Sequence, residues 1–352
     1  MSAARTAAGI ILALAATPLI AASQERFTLA GERVIVFDLA GNVSIVAGTG
    51  SSVVVEVTRG GGDAGQLKVE TGAFHSAQGL RVIFPSDRIV YSRDRNQGNY
   101  RSEMWVRDDG SFGGGDHDRD GGRRVTIRSN GDGLEAWADL RIMVPEGKRV
   151  SVNIGVGRID ASNVNGNLDL DTSSGNVSAE GITGNLSIDT GSGDVKVSTV
   201  SGDLSVDTGS GNVVYSNATG SNITIDTGSG DVTGSTMKST DLSVDTGSGN
   251  IELHGVSATT LSLDTGSGDV DVDLLTDTDD INVDTGSGNV TIGVPANFGS
   301  AIDIETSSGD VDSDLPIQVT RRSEDRLLGR IGDGQGRLHV ETGSGNVTLN
   351  GR

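Results

Sequence analysis

The chain has 352 residues, a formal net charge of −21, no cysteine and few aromatics: 2 Trp, 3 Tyr and 6 Phe. Without cysteine there is no disulfide framework, thiol nucleophile or lipid-carrying cysteine. Such acidity also excludes a nucleic-acid surface, which needs basic patches against phosphate.

Residues 1–23 read as a secretory signal peptide. Arg5 gives the charged start, Ile10 to Ala16 the apolar core, and Ala21-Ala22-Ser23 a small-residue cleavage site before Gln24. The apolar run is short and broken by Pro18, and no other span approaches the ~20 apolar residues of a transmembrane helix. Export is expected, to the periplasm, the cell surface or the medium, with no transmembrane segment left after cleavage.

Residues 24–149 form an amino-terminal β region. Val34-Ile35-Val36-Phe37, Val43-Ser44-Ile45, Val53 to Val57, Leu67 to Thr71 and Leu80-Arg81-Val82 alternate with period two. They read as diverged coils or as a cap, which a solenoid needs over its open end. Residues 86–124, rich in Arg, Asp, Gly and Asn, read as a long polar loop or insertion. Within it, Asp116-His117-Asp118-Arg119-Asp120-Gly121 matches the first half of a calcium loop. Ile127 stands where the bidentate Glu should be, and a solvated acidic loop explains the same residues. Calcium at Asp116, Asp118 and Asp120 is therefore a weak-site expectation, and no other cofactor and no catalytic residue is assigned.

From about Val150 to Arg352 the chain repeats Asp-Thr-Gly-Ser-Gly-Asp/Asn-Val. The acidic member falls at Asp171, Asp189, Asp207, Asp226, Asp245, Asp264, Asp284, Glu305 and Glu341. Spacings of 18 to 21 residues, doubled before Glu341, mark a solenoid whose repeats cannot bury an apolar face alone. Each repeat opens with an alternating run such as Leu204-Ser205-Val206-Asp207-Thr208, turns at Gly-Ser-Gly, and continues in a second strand such as Asn250-Ile251-Glu252-Leu253. The expectation is an all-β parallel solenoid of about 18–20-residue coils, right-handed by the crossover rule, with coils about 4.8 Å apart. Val206, Val244 and Leu263 should face inward, and Asp207, Asp245 and Asp264 outward.

The sixth motif position alternates in chain order: Asn176, Asp194, Asn212, Asp231, Asn250, Asp269, Asn289, Asp310. Alternation doubles the Asp–Asp distance, relieving a repulsion of about 1 kcal/mol in water; duplication of a two-coil unit gives the same pattern. Residues 151–320 hold 26 acidic and 3 basic residues, net −23 against −21 for the chain, so the acidity belongs to the repeats. That balance keeps rods soluble and apart. Arg321 to Gly336 interrupts the repeats, and a last coil, Leu338 to Leu349, closes the chain.

Pro145-Glu146-Gly147, the repeated coil, Val294-Pro295-Ala296-Asn297, Leu315 to Val319 and Gly329 to Gly334 together resemble the bacterial β-strand-repeat proteins labelled "putative adhesin", a family of unknown function. The likeness covers about 140–352 well and 27–85 loosely. It implies a β-solenoid and an adhesin label, and supplies no catalytic residues.

Asp-Thr-Gly-Ser is also the signature of pepsin-like proteases, but those need two copies facing each other and sharing a proton. Stacked copies on one outer face are structural. The acidic stretch Asp269, Asp271, Asp273, Asp277, Asp279 and Asp280 reads as solvated surface, as do His75, His117, His254 and His339. The leading function is a non-catalytic surface or envelope protein in adhesion or spacing, with envelope components or glycans as partners. The alternative is a carbohydrate-active β-helix enzyme, which needs carboxylates beside Arg or aromatics in one groove. The place for such a groove is where the 86–149 segment folds back on the rod, bringing Tyr100, Trp105 or Arg107 to solenoid Asp residues.

Overall fold

The computed structural model describes residues 24–92, 100–113, 122–323 and 325–352. These residues are nearly all β: 27 strands join one long, mostly parallel sheet, four form a second sheet, and the helical content is one 3-10 turn at Ala64–Gln66. None of the described helices is long and apolar enough to cross a membrane.

The long sheet is built by repetition in register. Leu168 pairs with Leu186, Leu186 with Leu204, Leu204 with Ile223, and so on to Leu261 with Ile281, all parallel. Each strand thus lies beside its own counterpart one repeat later, the solenoid-like arrangement the spacing predicts. Val206, Val244 and Leu263 are at most 1% exposed, while Asp207, Asp245 and Asp264 face solvent.

Three further columns hold the coils together. The motif threonines are buried, and from Thr190 on their hydroxyls donate to a glycine carbonyl in the turn of the adjacent coil, as from Thr246 to Gly230 at 3.1 Å and Thr265 to Gly249 at 3.0 Å, whereas the Thr172 hydroxyl has no partner. The sixth motif position forms a ladder of its own. The Asn250 amide donates to Asp231 Oδ1 at 2.8 Å, and the Asp269 amide to Asn250 Oδ1 at 2.9 Å. Asn and Asp accept equally well there, which explains why both are tolerated. Between them the turn demands glycine: Gly211 has φ +150°, and a Cβ there would lie 2.1 Å from Gly193 O.

The order of coils in space departs from their order in the chain. Leu338 and Val340 pair with Ile281 and Val283 on one side and with Ile302 and Ile304 on the other. The coil that closes the chain therefore lies inside the stack, between the 280–294 coil and the 300–313 coil. Strands Arg326–Ile331 and Gln318–Arg322 then pair antiparallel over Ser300–Thr306 and cap the tip.

At the other end, Lys148–Val156 pairs with Gly166–Ser174 on one side and Arg33–Ala40 on the other. The boundary drawn at 149/150 falls within this strand, and the sheet runs through it. Arg33–Ala40 pairs next with Ala77–Ile83, and antiparallel strands cover the edge. The polar segment 86–124 does not form one long loop. It contributes Arg88–Val90, Arg101–Arg107 and Gly122–Arg128 to the second sheet, joined by Leu134–Glu135. Alternation of Met104, Val106, Val125 and Ile127 carries these strands beneath a polar composition.

Candidate functional site

The second sheet packs on the outer face of the rod's first coil. Arg33–Ala40 is buried on both faces from Val36 on: Val34 and Val36 turn inward, while Phe37 and Leu39 lie under the added sheet, all at most 3% exposed. Gly155 permits the contact, since a Cβ there would come within 2.5 Å of Leu39 O, 2.8 Å of Met104 Cε and 2.9 Å of Ile127 Cδ1.

A groove opens on each side of this contact. The larger is a cleft of about 540 Å³ lined by Phe37, Phe74, Phe112, His75, Arg107, Asp109 and Asn153, among others. Its apolar floor is an edge-to-face cluster, with Phe37 5.2 Å from Phe74 and 5.6 Å from Phe112 between ring centroids. His75 stands edge-on to Phe74 at 4.7 Å, exposed at the lip. Arg107 spans the wall, donating to Ser111 Oγ at 3.4 Å and Gly113 O at 3.3 Å. Burial alone would raise the Asp109 pKa. Hydrogen bonds from the Ser111 hydroxyl at 2.7 Å and amide at 3.0 Å, with the Arg81 guanidinium at 3.2 Å, outweigh it and hold the carboxyl below its ordinary range. The smaller groove, about 240 Å³, is lined by Tyr91, Tyr100, Arg158, Asn42 and Asn176 among others. Tyr100 donates to Tyr91 O at 2.7 Å, and Tyr91 to Asn42 Oδ1 at 3.3 Å.

The cleft sits at the foot of the acidic column. In register order that column runs Arg81, Phe37, Asn153, Asp171, Asp189, Asp207, Asp226, Asp245, Asp264, Asp284, Glu341, Glu305, with Arg326 opposite Glu305. Gly113 brings the cleft's edge to the first acid, its Cβ position 3.4 Å from Asp171 Oδ2. Partial burial, then the neighbouring carboxylates, push Asp207, Asp245 and Asp264 above the ordinary carboxylate range. At the tip Arg326 grips Asp303 bidentately at 2.9 and 2.7 Å and approaches Glu305 at 3.5 Å.

The segment folds back on the rod, but no solenoid aspartate lines either groove. Arg107 reaches the cleft beside Asn153 and Tyr100 the smaller groove beside Arg158, whereas Trp105 points outward at 38% exposure. Asp116, Asp118, Asp120 and His117 lie outside the described residues, and no metal-binding group of His, Asp or Glu occurs among the described ones. The acidic stretch from Asp269 disperses: Asp269 serves the turn ladder, and Asp277 accepts from the Gly299 amide at 3.2 Å. Asp273 joins a surface network, accepting from Arg352 and lying 2.9 Å from His254, whose other nitrogen is 2.9 Å from Glu252. Those hydrogen bonds, to Glu252 first and then Asp273, raise the His254 pKa. His339 is 4.0 Å from Asp303.

Asp38 was missed by sequence reasoning. It is fully buried in the threonine column, its Oδ2 has no partner, and burial pushes its pKa well above the usual range. The signal was present: a lone acid inside Val34-Ile35-Val36-Phe37-Asp38-Leu39-Ala40.

With this geometry in place, residues 184–350 match the family Toastrack DUF4097. The repeats' resemblance to the adhesin-labelled β-strand-repeat proteins agrees with that match. The Toastrack segment takes in the stacked coils, the intercalated last coil and the capped tip, while the cleft lies before it. A solved structure described as a putative cell adhesion protein from Clostridium sporogenes ATCC 15579 aligns over 94% of this chain and 99% of its own. Its sequence identity is 11% and its TM-score 0.24. No curated protein matches the chain.

Proposed function

We propose that this protein is an exported, non-catalytic surface or envelope component. Its right-handed solenoid of 18–20-residue coils is a stiff acidic spacer, and the cleft at its amino-terminal end takes a sugar residue of an envelope or surface glycan. One observation carries the reading: aromatic and basic side chains, scarce along the rod, converge beside Asn153 in a cleft of about 540 Å³, within the size range of small-ligand sites. A sugar ring offers C–H faces to Phe74 and hydroxyls to Arg107 and Asn153. Asp109, held ionised by Ser111 and Arg81, suits accepting a hydroxyl better than donating a proton.

Binding of the mature protein to glycans and isolated envelope fractions tests this. Phe74→Ala and Arg107→Gln should each weaken capture at least tenfold while the melting temperature reports an intact fold. Equal capture by all three proteins sinks the cleft as the binding site. Turnover of a polysaccharide, lost in Asp109→Asn, would replace the reading with a carbohydrate-active enzyme.

A further inference from the structure

One column of strands runs the length of the rod and is open at both ends. Among the described residues, its last strand at the amino end, Lys68–Phe74, pairs only with Ala77–Ile83, and its last strand at the tip, Gln318–Arg322, pairs only with Arg326–Ile331. All of Gln318–Arg322 is exposed, Val319 at 51%, and no residue of Lys68–Phe74 is buried. Neither edge carries a proline, so each offers amides and carbonyls to a further strand.

The two edges are complementary. The tip strand runs with the coils, two antiparallel steps from Ser300–Thr306, and the amino-terminal edge runs against them, one antiparallel step from Ala77–Ile83. A second copy stacked on the tip in the same sense brings the two edges together antiparallel. Carrying the rod's columns across the junction sets Val319 over Ala73, Arg321 over Gly72 and Ser323 over Glu70. Val319 is then covered by an apolar neighbour, and Arg321 crosses the bare Gly72 diagonally to Glu70. Asp325, in the hairpin turn, comes to the Lys68 end of the edge. Four strands fill this column between Ser300–Thr306 of one copy and Arg33–Ala40 of the next. The neighbouring column, between Val311–Ser313 and Val43–Ala47, holds only the three strands Trp137–Val144, Val53–Gly60 and Gln24–Leu29, so the ends meet without overlap.

We infer that the protein assembles head to tail: the tip strand of one copy adds to the amino-terminal edge of the next and continues the sheet from rod to rod. This is strand addition, and because the contact joins unlike ends it repeats into an open filament. Charge favours this approach over the others. Side by side, two rods set −23 against −23 over residues 151–320. Tip against tip gathers the Arg321 and Arg322 of both copies on one edge. Head to tail, Glu305 of one copy and Asp171 of the next stand seven strand spacings apart, about 34 Å. That is several times the screening length of about 8 Å at physiological salt.

Light scattering of the mature protein tests this: the mean mass should rise with protein concentration. Arg321→Glu and Glu70→Arg, both at exposed side chains, should each weaken association about tenfold and leave the melting temperature unchanged. An equimolar mixture of the two variants should regain it, because every junction in an alternating chain then joins opposite charges. A wild type that stays monomeric at every concentration overturns the proposal. So does a Glu70→Arg protein that associates as well as the wild type, the result that pairing of two tips gives, and so does a mixture no better than either variant alone. Electron microscopy is an independent measure: rods joined end to end are expected, and rods joined along their sides overturn the idea.

Discussion

The amide of Asn346 donates to Asn289 Oδ1 at 3.0 Å although 57 residues separate them. The next step, from the Asp310 amide to Asn346 Oδ1 at 2.9 Å, runs backwards in the chain. In space the ladder therefore reads Asp269, Asn289, Asn346, Asp310, and no two aspartates adjoin. Chain-order alternation does not survive at the tip, but separation of the charges does.

The ladder contributes through its acceptor oxygen. Asp231→Ala should cost about 1 kcal/mol by stranding the Asn250 amide, whereas Asp231→Asn should be neutral or better. Urea midpoints of the two variants decide it; equal losses would show that the charge, not the acceptor, matters.

Side-chain register has a sharper signature. Val244→Asp places a charge among fully buried neighbours and should cost several kcal/mol. Asp245→Asn on the solvent side should be neutral or slightly stabilising. Thermal melts that moved together would contradict the inward and outward assignment.

Salt should stabilise the rod. The column from Asp171 to Asp284 stacks like charges one strand apart, and its repulsion is screened as ionic strength rises. Sodium chloride should raise the melting temperature, and calcium at matched ionic strength should add a modest increment. An unchanged melting temperature across low salt, sodium and calcium would remove the repulsion from the account.

Asp38 should make stability fall as pH rises above the ordinary carboxylate range. Its folded pKa is raised above the unfolded value of about 3.9, so its contribution is fully present below that value and fades as pH rises through the folded one. Asp38→Asn keeps an oxygen for the Ala40 amide and cannot ionise. Its stability advantage over the wild type should grow from pH 5 to pH 8; parallel melting curves across that range would refute it.

His254 works in the same sense at higher pH. Its pKa is raised by Glu252 and Asp273, so its contribution is complete below about 6.5 and is lost as pH rises through the folded value. The side chain is well exposed, so the effect is small. An NMR titration should place its midpoint above that of His254 in the urea-unfolded chain.

Most of the rod was legible because each coil repeats one local grammar: alternation for the strand, glycine for the turn, threonine for the buried hydroxyl. What was not legible depends on contacts between unlike segments. The strand Arg101–Arg107 is half polar because one face is covered by the rod and the other is wet, so composition alone suggested a loop. Phe37 and Phe112 are far apart in sequence, and nothing in either neighbourhood indicates that they share a cleft floor. The intercalated coil was hidden for the opposite reason. It is too similar to its neighbours for the sequence to say which two it lies between.

That intercalation changes what a missing carboxy terminus means. In a stack laid down in chain order, clipping the last coil shortens the rod by one layer and leaves every other layer paired. Here the same cut separates the 300–313 coil and its cap from the body and uncovers two apolar faces at once. Loss of the residues after Ile331 is thus an all-or-none lesion of the tip.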